Sequence, residues 1–221
     1  MPERVLLDND VVLKAAAYGL ADETLAATTI DDSPPAMLGV GRFVIRNRLS
    51  RASNIANVTR ATEAFGQMLA TMKLVEPDDE EMAAAADFEA EAIRHNLELD
   101  GGESQLLAIL ANRACSLLVT GDKRAIAAMS IVAAASAGGR IACLEQLIAH
   151  IVAARGTPSV QPRICAEPNL DRAITSCFAC SSPGTLDVAD VRAGLASYIG
   201  HLDRSAPGVL VPGHDLSSLV V

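Results

Sequence analysis

Apolar runs of strand length alternate along this chain with segments whose apolar residues recur every three or four positions. Residues 4 to 7 read as a strand and 10 to 20 as a helix. Residues 22 to 28 form a short helix that the turn-rich DDSPP ends. Helical spacing returns over 36 to 51, through Leu38, Val44 and Leu49, and over 58 to 72, through Ala64, Met68 and Met72. KLVE then reads as a strand. PDDEEMAAAADFEAEAIRHN reads as a helix with proline and acids in its first turn, where unpaired N–H groups favour them. LDGG breaks it, ESQLLAILANRA opens the next helix, and CSLLVT is a second long apolar strand. DKRAIAAMSIVAAAS is helical, GG stops it, RIACL is a strand and EQLIAHIVAARG a helix. Such alternation predicts an α/β fold, a three-layer α/β/α sandwich around a central parallel sheet, because parallel strands need crossovers and helices supply them.

The pattern changes after residue 155. TPSVQPRICAEPN is Pro-rich and reads as a linker or extended arm, followed by helices in LDRAITSCFAC and DVADVRAGLASYIGHLDRS. Residues 1–155 are thus expected to form one domain. Residues 156–221 are expected as a mainly helical C-terminal extension that packs on the core or forms the contact of a homodimer.

Composition adds limits. Half of the 221 residues are hydrophobic but only 3% are aromatic, with no Trp, so Ala, Leu and Val must do most of the packing. No stretch is long and apolar enough for a membrane span, and MPERVLLDND lacks the apolar core of a secretory signal. With five cysteines, an odd number, the expectation is a cytoplasmic protein with reduced thiols and no membrane partner. Cys165, Cys177 and Cys180 include one Cys-x-x-Cys, which a zinc ion could use with His201 or His214. Structural zinc more often takes two such pairs, and buried thiols are the simpler reading.

The net charge of −9 argues against general coating of nucleic acid. The charge is unevenly placed, however. Ser33 to Thr62 contains no acid and five arginines, Arg42, Arg46, Arg48, Arg51 and Arg60, whereas Glu76 to Glu103 holds eleven acids and only Arg94 as a base. Two readings fit this stretch equally, a local basic patch on an acidic protein and an ordinary solvated arginine-rich helix face.

Two apolar strands run directly into acids, in RVLLDND and in LVTGDKR. In a parallel sheet these acids, Asp8 and Asp122, fall at the carboxyl edge, where open α/β sheets bind ligands. The helix that opens at Glu103 must run down before the strand rises to Asp122, so its first turn lies near that same edge. Each acid alone is explained as a helix cap. Three converging carboxylates repel one another unless a cation lies between them, and hard oxygen ligands suit Mg²⁺ or Mn²⁺.

These motifs resemble those of PIN-domain nucleases. That family's first strand ends in an Asp followed by a small polar residue and an apolar run, as in LLDNDVVLK. Its late strand ends in Thr-x-Asp with a basic residue behind, as in LLVTGDKR, and several of its branches place Gly-Glu at the head of the preceding helix, as in LDGGESQLLAILA. The likeness covers residues 1 to about 155 and implies metal-dependent cleavage of RNA or other single-stranded nucleic acid. Carried over, Asp8, Glu103 and Asp122 would be catalytic metal ligands, with Asp10 and Asp100 as further candidates. Thr120 would orient Asp122 or a water, and Asn9 would partner backbone or water. Lys14, Lys123 and Arg124 would steady phosphates, with Arg42, Arg46 and Arg48 as the wider nucleic-acid surface. The resemblance leaves room for a regulatory protein partner.

One family feature is missing. Where a further Glu is usual, MLGVGRFVIRNRLSRA offers Arg42 and Arg46, and the nearest acid, Glu63, comes late. Two alternatives follow. One is a degenerate PIN-like scaffold used for binding. The other is a haloacid-dehalogenase-type phosphatase, with Asp8 as nucleophile and Asp10 as general acid.

Overall fold

The computed structural model describes residues 4–113, 115–181 and 188–219. Five short strands form one all-parallel sheet in the order β3-β2-β1-β4-β5. They are β1 (Val5–Leu7), β2 (Ala36–Leu38), β3 (Lys73–Val75), β4 (Leu117–Thr120) and β5 (Ile141–Cys143). Between β1 and β2 lie α1 (Asn9–Tyr18) and α2 (Ala21–Thr28); α3 (Gly41–Ser50) and α4 (Val58–Thr71) lead to β3. From β3, α5 (Asp79–Arg94) and α6 (Gly101–Asn112) lead to β4, and α7 (Lys123–Val132) and the short α8 (Ala134–Ala137) lead to β5. After β5 come α9 (Leu144–Arg155), α10 (Thr157–Cys165), α11 (Arg172–Cys177) and α12 (Val188–Ser205). The α/β class and the parallel sheet expected from the alternation are both present.

Strand side chains alternate between two cores. Val5, Leu7, Met37, Leu117, Val119 and Ala142 face one apolar cluster, and Leu6, Ala36, Leu38, Leu118, Ile141 and Cys143 face the other. Helices therefore cover both faces, and each buried Leu, Ile or Val contributes roughly 1.5–3 kcal/mol of transfer free energy. Beyond β5, Leu210 adds a parallel bridge to Ile141, with the Val211 N–H donating to the Ile141 carbonyl at 2.7 Å. That bridge covers the backbone edge of β5.

Four expectations change. Residues 36–38 are not helical: Ala36, Met37 and Leu38 pair with Lys73, Leu74 and Val75, and Pro34 and Pro35 hold the approach extended. The face of α3 shifts accordingly, burying Gly41, Ile45 and Leu49 and leaving Val44 exposed. TPSVQPRIC is helix α10 rather than a linker. Pro158 sits at its start, where no N–H is required, and Val160 and Ile164 bury one turn apart. Finally, Cys165 and Cys180 form a disulfide, while Cys177 is a separate buried thiol. The Cys-x-x-Cys pair diverges at the end of α11, so neither a zinc site there nor a fully reduced set of thiols describes this structure.

The described residues after 156 contribute to both cores, with Ile199, Leu202, Ala206, Val209 and Leu210 in the second. Val160, Ile164, Ile174, Phe178, Val191 and Leu195 belong to the same cluster as Leu7 and Val119, with further packing of α12 on α9.

Candidate functional site

The sheet order puts a switch point between β1 and β4. From β1 the chain moves to β2 on one side, and β4 continues to β5 on the other, so the connections diverge and leave a crevice above the two carboxyl ends. The register Leu7 to Val119 brings Asp8 level with Thr120, and the Asp8 N–H donates to the Val119 carbonyl at 3.0 Å. A cavity of about 650 Å³ opens there, lined by Asp8, Asp10, Asp100, Glu103, Asp122 and Asp171 among others.

Each acid is held by a local bond. Asp8 caps α1, accepting from the Asn9 N–H at 2.6 Å on one oxygen and from the Thr120 hydroxyl at 3.2 Å on the other. Thr120 also accepts the Asp122 N–H at 3.2 Å, so its one hydroxyl ties the two strand ends together. Asp100 and Glu103 form a reciprocal capping box on α6, with bonds of 2.9 and 3.0 Å. Asp122 caps α7 through the Arg124 and Ala125 N–H groups. The N-termini of α1, α6 and α7 thus converge on the cavity, each carrying a carboxylate. Cap and shared acidic site are one arrangement here, since each helix starts where a strand or loop reaches the edge.

The electrostatics are not uniform. Burial, then the neighbouring Asp10, push Asp8 up to about 6. Burial, reinforced by Asp100, Asp122 and Asp8, pushes Glu103 up to about 8 despite the bond from the Asp100 N–H. Asp122 goes the other way. Burial alone would raise it, but the Arg124 side chain and the two N–H bonds outweigh burial and hold it below its ordinary value.

The cationic side chains in the cavity are paired. Lys14 lies 2.6 Å from Asp10 and 2.7 Å from Asp171. Lys123 pairs with buried Glu145 at 2.7 Å and lies over the Tyr198 ring of α12. Arg124 reaches Glu98 at 2.6 Å and Asp122 at 3.2 Å. A Cβ on Gly121 would collide with the Asp10 carboxylate, and one on Gly41 with the Asn9 side chain, so both glycines permit acid and amide to enter. Asn9 and Arg48 also line the cavity, whereas Arg42 and Arg46 are not among the lining residues. Arg60 turns inward, to the Ala17 carbonyl and to the fully buried Glu167. Asp171, Glu145 and Glu167 were not singled out from the sequence. They come from β5–α9 and the C-terminal extension, and nothing in the local pattern announces where those helices dock.

No family model, characterised protein or solved structure matches this chain. The reading of the site rests on its own geometry.

Asp8, Glu103 and Asp122 could hold a hard cation through their oxygens, and a positive ion would relieve Asp8 and Glu103, whose proton affinity burial and neighbouring acids raise. Among the described residues no three of His, Cys, Asp and Glu are gathered closely enough to hold a metal ion. Glu103 and Asp122 are turned onto their own helix N-termini.

Proposed function

We propose that this protein is a metal-dependent nuclease of PIN type, cleaving phosphodiester bonds in single-stranded RNA. The observation that carries the reading is that Asp8, Glu103 and Asp122, far apart in sequence, line one cavity at the β1/β4 switch point. Asp8, Glu103 and Asp122 would hold Mg²⁺ or Mn²⁺, with Asp10 and Asp100 beside them. A divalent ion bound there would supply an activated water and neutralise charge on the scissile phosphate and leaving oxygen. The Thr120 hydroxyl fixes one oxygen of Asp8 and leaves the carboxylate a single orientation. Arg48, exposed at the rim and 4.0 Å from Asp10, is placed to meet a phosphate entering the cavity. Asp171 holds Lys14 against Asp10 and so keeps one ammonium inside the acidic wall.

One observation favours the second reading, a binding scaffold without catalysis. Lys14, Lys123 and Arg124 are already engaged with carboxylates. The two readings separate on purified protein with unstructured RNA. A nuclease degrades it only with added Mg²⁺ or Mn²⁺, stops with EDTA, and is inactive as Asp8→Asn. Degradation that survives EDTA or Asp8→Asn rules the proposal out, and release of phosphate from small phosphomonoesters instead points to the phosphatase alternative.

A further inference from the structure

The rim of the cavity carries an apolar patch that the fold does not use. Val40, Phe43 and Val44 on and before α3 are 51%, 56% and 40% exposed. The chain has four Phe, two Tyr and no Trp, and Phe43 is the exposed one among them, the rest being buried or half-buried. The Arg42 guanidinium lies over its ring, 4.6 Å from the centroid. Val40, Val44 and Arg48, spaced by four, line the cavity itself, so this patch is continuous with the acidic site. Arg46 and Arg48 stand exposed on the same helix, in the acid-free stretch 33–62 of a chain with net charge −9.

We infer that Phe43, with Arg42 over its ring, is a stacking platform for an unpaired nucleobase next to a phosphate at the cavity rim, where Arg48 stands. The inference rests on the nucleic-acid reading of that cavity. Charge decides the occupant. A single strand brings both a planar apolar base for the ring and a phosphate for the arginines. Stacking on an aromatic ring tolerates any base, so the platform selects single strands over duplexes, whose bases are already stacked.

The test is fluorescence anisotropy with a labelled unstructured RNA of about 12 nucleotides and an abasic ribose-phosphate oligomer of the same length. Binding is read in the first seconds with magnesium and again with EDTA. Phe43→Ala is expected to weaken RNA binding about tenfold and to leave the abasic oligomer unchanged. Phe43→Trp should keep the affinity, and Phe43→Leu, apolar but without a π face, should not. Arg48→Ala should weaken both oligomers. Equal RNA affinity of wild type and Phe43→Ala overturns the platform and leaves the nuclease reading standing. Recovery by Phe43→Leu also overturns it. So does a dimer that Phe43→Ala splits, by light scattering, with RNA affinity intact. Failure of the wild type to bind either oligomer overturns platform and nuclease reading together.

Discussion

Replacing Lys14 by Met removes the ammonium that Asp10 and Asp171 share while keeping most of the stem's apolar contact. The contacts are 2.6 and 2.7 Å, and the three side chains are only 13%, 23% and 18% exposed. Solvent therefore screens them far less than a surface pair worth about 0–1 kcal/mol. Breaking a buried pair from one side costs about 3–5 kcal/mol, and with roughly a fifth of each acid in water the expected loss is about 2–4 kcal/mol. The pH dependence has a defined sign. Burial alone would raise Asp171, but the Lys14 charge outweighs it and holds the carboxyl below its ordinary value. That contribution is present above the unfolded pKa and is lost as pH falls through the folded one. For Lys14 itself burial works downward, yet Asp10 and Asp171 lift it above its ordinary value, so its contribution fades only at strongly alkaline pH. From acid below the ordinary carboxylate value up to about pH 9, the deficit of Lys14→Met should hence grow, reaching its full size by about pH 6. Urea unfolding at both ends of that range measures it from the midpoint shift at constant m. A loss under about 1 kcal/mol at neutral pH, or a deficit of equal size in acid, would refute the reasoning.

Glu167→Ala should cost about 3–5 kcal/mol in the same assay, because it strands Arg60 and the Ala56 and Asn57 N–H groups around a fully buried site; an unchanged midpoint would contradict this. Asp122→Ala should lose about 1 kcal/mol through the α7 cap rather than gain stability from reduced repulsion, since this carboxylate is already held by N–H groups and Arg124. Arg48→Ala should flatten the salt dependence of RNA binding by about one unit of slope and Arg46→Ala by less, because Arg48 lines the cavity and Arg46 does not; equal effects would show that the cavity is not where the phosphate lies.

The elements long enough to repeat their pattern were legible. α5 and α6 carry caps, periodic alanines and leucines, and a clear break at LDGG, and β1 and β4 are unbroken apolar runs. Ala36–Leu38 was not legible as β2, because three apolar residues fit a helix face as well as a strand and only pairing with β1 and β3 decides. In the site, Asp8 and Asp122 were visible because a strand running into an acid is a local signal. Glu103 needed the direction of α6 as well. Asp171 had no signal, since its meaning comes from Lys14, 157 positions away. Arg60 read as part of a basic patch for the same reason, its partner Glu167 being 107 positions distant.

Capping and metal holding look like rival explanations for the acids, but the geometry makes them compatible. A cap fixes where a carboxylate stands and uses one of its oxygens: Asp8 gives one to Asn9, Asp100 one to Gly102 and Glu103, and Asp122 one to Arg124 and Ala125. The second oxygen of Asp8 accepts from the Thr120 hydroxyl, and that of Asp122 meets the Arg124 guanidinium. Glu103 accepts the Asp100 N–H in the reciprocal half of the capping box, a bond worth about 1 kcal/mol net. The same side chain bears the largest penalty for carrying charge, set by its burial and by Asp100, Asp122 and Asp8 around it. Under the proposed reading, Asp8, Glu103 and Asp122 would hold a divalent ion whose charge would relieve the repulsion that makes the Glu103 charge costly. The helix starts then serve the site by holding the acids at the edge before any ion arrives.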